Sequence, residues 1–165
     1  MAGTETNETA LNLTALKRTP LFGVHTAAGA RMAPFAGYEL PIQFTGIIAE
    51  HTATRQSAGL FDVSHMGQLS VTGDGSTAWL ERLTPSSIAT LADGKARYSV
   101  LTNADGGVVD DLIITRLGDT FRLVVNGARR DAVAAHFGAH SDAAVSIESL
   151  DRALIALQGP LAHAV

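Results

Sequence analysis

Two adjacent aspartates stand inside an otherwise apolar run, GGVVDDLIIT (106–115). A strand places successive side chains on opposite faces, so Asp110 is expected beside Val108, Leu112 and Ile114, and Asp111 beside Val109, Ile113 and Thr115. Asp is disfavoured in strands, and an unpaired buried carboxylate is costly. At least one of the pair therefore needs a dedicated partner. A carboxylate capping the glycine turn, or pairing with an Arg, would be a purely structural answer. A fixed charge in a site of reaction would be a functional one.

The other chemistry-bearing side chains are weaker signals. His136 and His140 have the i,i+4 spacing of two ligands on a helix, but Gly138 lies between them and no third ligand follows, so no metal is expected. His51 and His65 lack a carboxylate or thiol at ligand spacing and read as hydrogen-bonded structural histidines. Ser64 stands beside His65 without the surroundings of a nucleophile elbow. Neither phosphate-loop pattern is present. The cationic cluster ARR (128–130) reads first as a solvated helix start, and second as an anion contact.

Composition narrows the classes further. The chain has 165 residues, of which 46% are hydrophobic and 17% charged, and it has no Cys. Such a chain can bury a core and is too apolar for disorder. Without Cys there is no disulfide framework, thiolate metal site or thiol nucleophile. The formal charge of −4 argues against a phosphate-neutralising nucleic-acid binder. No apolar run has membrane-spanning length. Glu5 and Glu8 precede the first cation, unlike a secretory or transit signal, so a cytoplasmic protein is expected.

The elements that must position these residues follow from punctuation and period. Residues 1–16 read as a loose polar tail, and 17–165 as one domain. PFAGYELP (34–41) reads as an irregular connection or short edge strand. A helix is expected over 45–59, with Thr45 as N-cap and Gly59 as C-cap. A strand is expected over 60–73 and a short helix over 76–85. Two hairpins should follow, from strands at 96–103, 108–117 and 121–127, the first turning through ADGG (104–107). A helix is expected over 128–140, then a strand-rich tail. The fold class is α+β, a mostly antiparallel sheet with packed helices.

Taken together, RTPLFGVHTAAGARMAPFAGYELPIQF (18–44), AGLFDVSHMGQ (58–68), DGKARYSVLTNADGGVVDDLIIT (93–115), LVVNGARR (123–130) and ALIALQGP (153–160) resemble the T protein family of the glycine cleavage system. These are folate-dependent aminomethyltransferases. The resemblance implies transfer of the one-carbon unit from an aminomethyl group, carried on the dihydrolipoyl arm of the H protein, to tetrahydrofolate. Ammonia and methylenetetrahydrofolate are the products. It implies that Asp111 is the catalytic carboxylate, acting by fixed charge and orientation rather than as a general acid. It places Met66, Tyr98 and Ile113 around the folate, and Asn126 near the pterin, where an N-cap is the alternative role. Gly127 stands where the family commonly has Ala, a departure expected to matter little.

Two further readings share these motifs: a folate-dependent demethylase or sarcosine-type relative, and a folate-binding or scaffold fragment without activity. Family members run on well beyond ALIALQGP, and the short LAHAV that follows Gly159-Pro160 is too brief for a stable helix. The chain is therefore expected to be an N-terminal portion, with exposed apolar strands that favour self-association.

Overall fold

The computed structural model describes residues 15–165, so nearly all of the expected tail at 1–16 lies outside the described residues. The chain runs β1 (Lys17–Arg18), α1 (Phe22–Ala27), β2 (Arg31–Phe35), β3 (Tyr38–Gln43), α2 (Ile47–Gln56), β4 (Gly59–Asp62), β5 (Gly67–Thr72) and α3 (Ser76–Leu83). It continues with β6 (Ala96–Thr102), β7 (Val108–Leu117), β8 (Thr120–Val125), α4 (Arg130–Ala139), β9 (Ser146–Ser149) and β10 (Ile155–Gln158). The main sheet has the order β6-β7-β8-β5-β9, antiparallel throughout. Two small sheets, β1-β3-β2 and β10-β4, flank it. The fold is α+β and mostly antiparallel, as expected.

One face of the main sheet is the core. Leu112 and Ile114 of β7, Phe121, Leu123 and Val125 of β8, Val71 of β5 and Leu101 of β6 point to it, all nearly or fully buried. Helix α3 closes it with Trp79, Leu80 and Leu83, and α4 with Val133 and Phe137, the i,i+3,i+4 spacing of one helical face. The Trp79 indole N–H finds its partner in the His140 carbonyl at 2.7 Å, which ties α3 to the end of α4. The opposite face of the sheet carries Tyr98, 68% exposed, and Ile113, 40% exposed.

Three expectations about local structure are corrected. PFAGYELP is neither an irregular link nor one short edge strand: it turns a hairpin between β2, an edge strand, and β3. Phe35 pairs directly with Tyr38, and the two loop residues Ala36 and Gly37 both have positive φ (48° and 80°), the geometry of a twist-matched two-residue turn. Pro41 is tolerated because β1 pairs only with Tyr38 and Glu39 and never reaches it.

The strand expected over 60–73 is two strands in different sheets, broken at Val63–Met66. Asp62 causes the break: its Oδ1 accepts the Ser64 N–H at 2.9 Å, a local turn that competes with the ladder.

The helix at 45–59 starts later and is capped differently. The Thr45 hydroxyl caps nothing. Instead Glu50 Oε1 accepts the N–H groups of Phe44, Thr45 and Gly46 at 2.7, 2.7 and 2.9 Å. These bonds, led by that from Gly46, hold the Glu50 carboxyl below its ordinary range. The helix ends at Gln56, with Ser57 rather than Gly59 at its C-cap, and Gly59 opens β4. Glu50→Gln is expected to speed hydrogen exchange at residues 44–50 while leaving exchange in β6–β8 unchanged. Equal acceleration across the main sheet would contradict this local role.

No residue of α2 is buried, and Ile47, Ile48 and Leu60 are 62%, 81% and 68% exposed. No helix among the described residues is long and apolar enough to cross a membrane.

Candidate functional site

The register of the main sheet assembles the expected residues. Val100 pairs with Asp111, and Tyr98 with Ile113, which pairs in turn with Val124. Val124 pairs with Gln68 of β5. Tyr98, Ile113, Val124 and Gln68 thus form one row across the sheet. Asn126 follows directly on Val125, the partner of Leu112, and Met66 directly precedes Gly67, the partner of Val125. Val100 and Asp111 lie in the neighbouring row, and Asn126, one residue past β8, and Met66, one residue before β5, stand at its end. Met66, Tyr98, Asp111, Ile113 and Asn126, scattered over 61 positions of sequence, lie in these two adjacent rows or at their end, on the side of the sheet away from α3 and α4.

Asn126 is the link among them. Its Nδ2 donates to Asp111 Oδ1 at 2.7 Å and to Asp110 Oδ1 at 3.2 Å. It makes no capping bond to the following helical turn, so the alternative role as an N-cap is not the one observed. Nor does an Arg pair with either aspartate: the described ion pairs within 4 Å are Arg18–Glu39, His25–Asp62 and Arg82–Asp142. The glycine turn is held by Asn103, whose Oδ1 accepts the N–H groups of Asp105 and Gly107. Both structural readings of the aspartate pair are thereby replaced by a shared amide.

Simple alternation fails just before the pair. Leu101 faces Asp110 but Thr102 faces Val108, so Val109 is an extra residue, a bulge. Val109 packs against the core and Val108 is 65% exposed, the reverse of the faces expected for them. Arg129 of the ARR cluster fixes this bulge, donating from Nη2 to the Val109 carbonyl at 3.0 Å. Arg130 donates to the Tyr38 hydroxyl at 3.0 Å and so joins α4 to β3.

Tyr98 and Asp111 sit diagonally on neighbouring strands, without a well-formed hydrogen bond between them. The Tyr98 hydroxyl is nevertheless pushed above its ordinary value, first because the Asp111 carboxylate is a favourable acceptor for its proton. Slight desolvation and the negative charges of Asp111 and Asp110 add to this. The face thus joins an exposed aromatic ring and an apolar side chain to a carboxylate oriented by an amide. Such a surface can hold a flat heteroaromatic ligand and place negative charge against a group that becomes positive.

The histidines lie outside it. His51 is exposed on α2. His65 stands edge-on to Phe35 and Tyr38, at ring separations of 5.7 and 6.2 Å. Its Nδ1 is buried without a hydrogen bond from any of the described residues, against the expectation of a bonded histidine. Burial pushes it below its ordinary value, against the opposing charge of Asp62. A Cβ at Gly127 would come within 2.6 Å of the His65 carbonyl, so Ala there would need backbone adjustment. The rings of His136 and His140 lie 4.5 Å apart, tilted at 45°, and no group of three metal-ligating side chains occurs among the described residues.

One cluster had no signal in the sequence. Asp62 Oδ2 accepts from the Thr19 hydroxyl at 2.6 Å and meets His25 Nε2 at 2.8 Å. These side chains are brought together from 43 and 37 positions away. His25, Asp62, Phe44 and Phe61 line a cavity of about 310 Å³ between α2, β3 and β4, away from Asp111.

The model of the GCVT N-terminal domain matches residues 21–165. The chain belongs to the GCVT N-terminal domain family. Its relatives include the aminomethyltransferases of Deinococcus deserti, 46% identical over 92% of this chain and 44% of that protein, and of Rubrobacter xylanophilus, 47% identical over 90% and 41%. The crystal structure of glycine cleavage system aminomethyltransferase T from Bartonella henselae superposes with a TM-score of 0.86 at 40% identity, over 91% of this chain and 42% of that one. This member of the GCVT N-terminal domain family therefore spans about two fifths of the length of the relatives it matches.

Proposed function

We propose that the face bearing Asp111 is one side of a tetrahydrofolate-dependent aminomethyl-transfer site of the glycine cleavage system. The observation that carries this reading is the pair of rows that brings Met66, Tyr98, Ile113 and Asn126 around Asp111. The relatives' activity supports it. The donor would be the aminomethyl group on the dihydrolipoyl arm of the H protein, with the exchange in the cytoplasm. When bound, tetrahydrofolate supplies the nitrogen nucleophile that accepts the carbon.

The chain's own residues then have definable tasks. Tyr98 and Ile113 offer 68% and 40% of their surface to a flat ring system, and Met66 adapts its thioether to the ring edge. Asn126 fixes the Asp111 carboxylate by a charge-assisted hydrogen bond. Asp111 supplies a negative charge already in place when positive charge develops on the transferred carbon as ammonia leaves. The charge gains strength where bound ligand excludes water from it.

The test is chemical-shift mapping of the 165-residue chain with tetrahydrofolate, which detects millimolar binding by one side of a site. Shifts at Tyr98, Asp111, Ile113 and Asn126 are expected, and Ile113→Glu should abolish them while preserving the rest of the spectrum. Ile113 is a surface position of β7, so the substitution leaves the core untouched. Shifts confined to another face, or none at all, would overturn the reading.

A further inference from the structure

Asp110 lies on the side of β7 that carries Leu112 and Ile114, and nothing in the family resemblance gives it a task. Its environment does not suit a structural acid. Among the described residues, Oδ2 is buried without a hydrogen-bond partner, and Oδ1 meets one donor, the Asn126 amide, at 3.2 Å. A buried carboxylate oxygen without a donor is destabilising, and an apolar or amide side chain in that place would avoid the penalty. The cost is offset by nothing in the core.

What Asp110 does hold is the second hydrogen of the amide that holds Asp111. An amide nitrogen has two hydrogens lying in one plane. With one directed at Asp110 Oδ1 and the other at Asp111 Oδ1, the plane of Asn126 is fixed, and so is the direction of its bond to Asp111. Without Asp110 the nitrogen keeps only Asp111 Oδ1 and, at the 3.5 Å limit of a hydrogen bond, the Asp111 carbonyl, so the amide can turn about its last torsion, which is broad for Asn. The two carboxylates reach one amide because the bulge at Val109 bends β7 immediately before them and Arg129 fixes that bulge by its carbonyl.

We infer that Asp110 is a positioning residue, which acts through Asn126 to orient the Asp111 carboxylate. The inference rests on the proposed role of Asp111, but it can be measured separately from it.

The measurement is the side-chain amide spectrum of Asn126 in the 165-residue chain, followed by kinetics in the chain joined to the portion of a relative that it does not span. Asp110→Ala is expected to shift one Nδ2 proton of Asn126 and speed its exchange with water, while Asp111→Ala shifts the other. In the joined enzyme Asp110→Ala should lower kcat roughly 10- to 100-fold, the scale of a slightly misplaced catalytic group, at unchanged KM for tetrahydrofolate. Asp110→Asn keeps an acceptor oxygen and should recover most of both effects.

Unmoved Asn126 signals in Asp110→Ala would overturn the inference, even if kcat fell. Should that variant fail to fold, Asp110→Val, which removes the acceptor but suits a strand, decides: a shifted Nδ2 proton of Asn126 supports the role, and unmoved signals contradict it. An unsubstituted joined enzyme without transfer activity would count against the folate reading alone, because the amide spectrum needs no substrate.

Discussion

Asp111→Asn is expected to lower aminomethyl transfer about 10²- to 10³-fold, the scale seen when a preorganised electrostatic partner of a transition state is removed. The substitution keeps the shape of the side chain and an oxygen that can accept from Asn126 Nδ2. It removes the charge and turns one acceptor oxygen into a donor. Asp111 sits on the open side of β7, between core residues that face the other way, so stability should change by no more than about 0.5 kcal/mol. Because the lost interaction belongs to the transition state, kcat and kcat/KM should fall together.

The assay uses aminomethylated H protein and tetrahydrofolate, with the chain joined to the part of a relative that it does not span. Turnover within a few-fold of the unsubstituted enzyme would end the claim for Asp111. A second readout needs no substrate. The Asp111 carboxylate is the leading reason that the Tyr98 hydroxyl lies above its ordinary value. Asp111→Asn should therefore bring the Tyr98 titration down toward that value, whereas substitution of the remote Asp119 should not.

Much of this face was legible because the chemistry that builds it is local. The hairpins of β6–β7 and β7–β8 follow from Asp-Gly turn residues and from alternation, and the alternation correctly puts Ile113 beside Asp111 and Leu112 beside Ile114. The resemblance named Asn126 and Met66, but only the structure shows Asn126 bonded to Asp111 and Met66 one residue before the start of β5. The coupling of Asp110 to Asp111 was hidden. Strict alternation assigns them to opposite faces, and neither the bulge nor an amide placed beyond the end of β8 leaves a mark in local pattern. The break at Val63–Met66 was hidden for a related reason. GLFDVSHMGQLSVT has the composition of one strand, and it divides because a single carboxylate finds partners on Ser64, Thr19 and His25. Turn chemistry is readable when its partner is two residues away in a known motif. It is not readable when burial of the acid by distant side chains decides the outcome.

That carboxylate gives the second large effect. Asp62→Ala is expected to destabilise the chain by about 3 to 5 kcal/mol, the range for removing one member of a buried, charged hydrogen-bond network. The Asp62 side chain is fully buried. Its loss would leave the Thr19 hydroxyl, the Ser64 N–H and the ring of His25 without their acceptor, and would release the turn that directs β4 away from β5. Asp62→Asn keeps the volume and part of the accepting capacity, so it should cost less. The pH dependence separates the charge from the shape. Burial pushes the Asp62 carboxyl upward, but the hydrogen bonds from Ser64, Thr19 and His25 outweigh it and hold it at about 2, against 3.8 ordinarily. A carboxyl lowered in the folded state takes up its proton first in the unfolded chain. Its contribution is complete above an ordinary carboxyl's pKa and is lost as pH falls toward about 2. The stability gap between the unsubstituted chain and Asp62→Asn should therefore be constant from pH 7 to pH 5 and narrow steadily between pH 4 and pH 2. Denaturant unfolding at a series of pH values measures it directly. A gap that stays constant down to pH 2 would show that Asp62 acts through shape alone, and that the turn in FDVSHM does not depend on its charge.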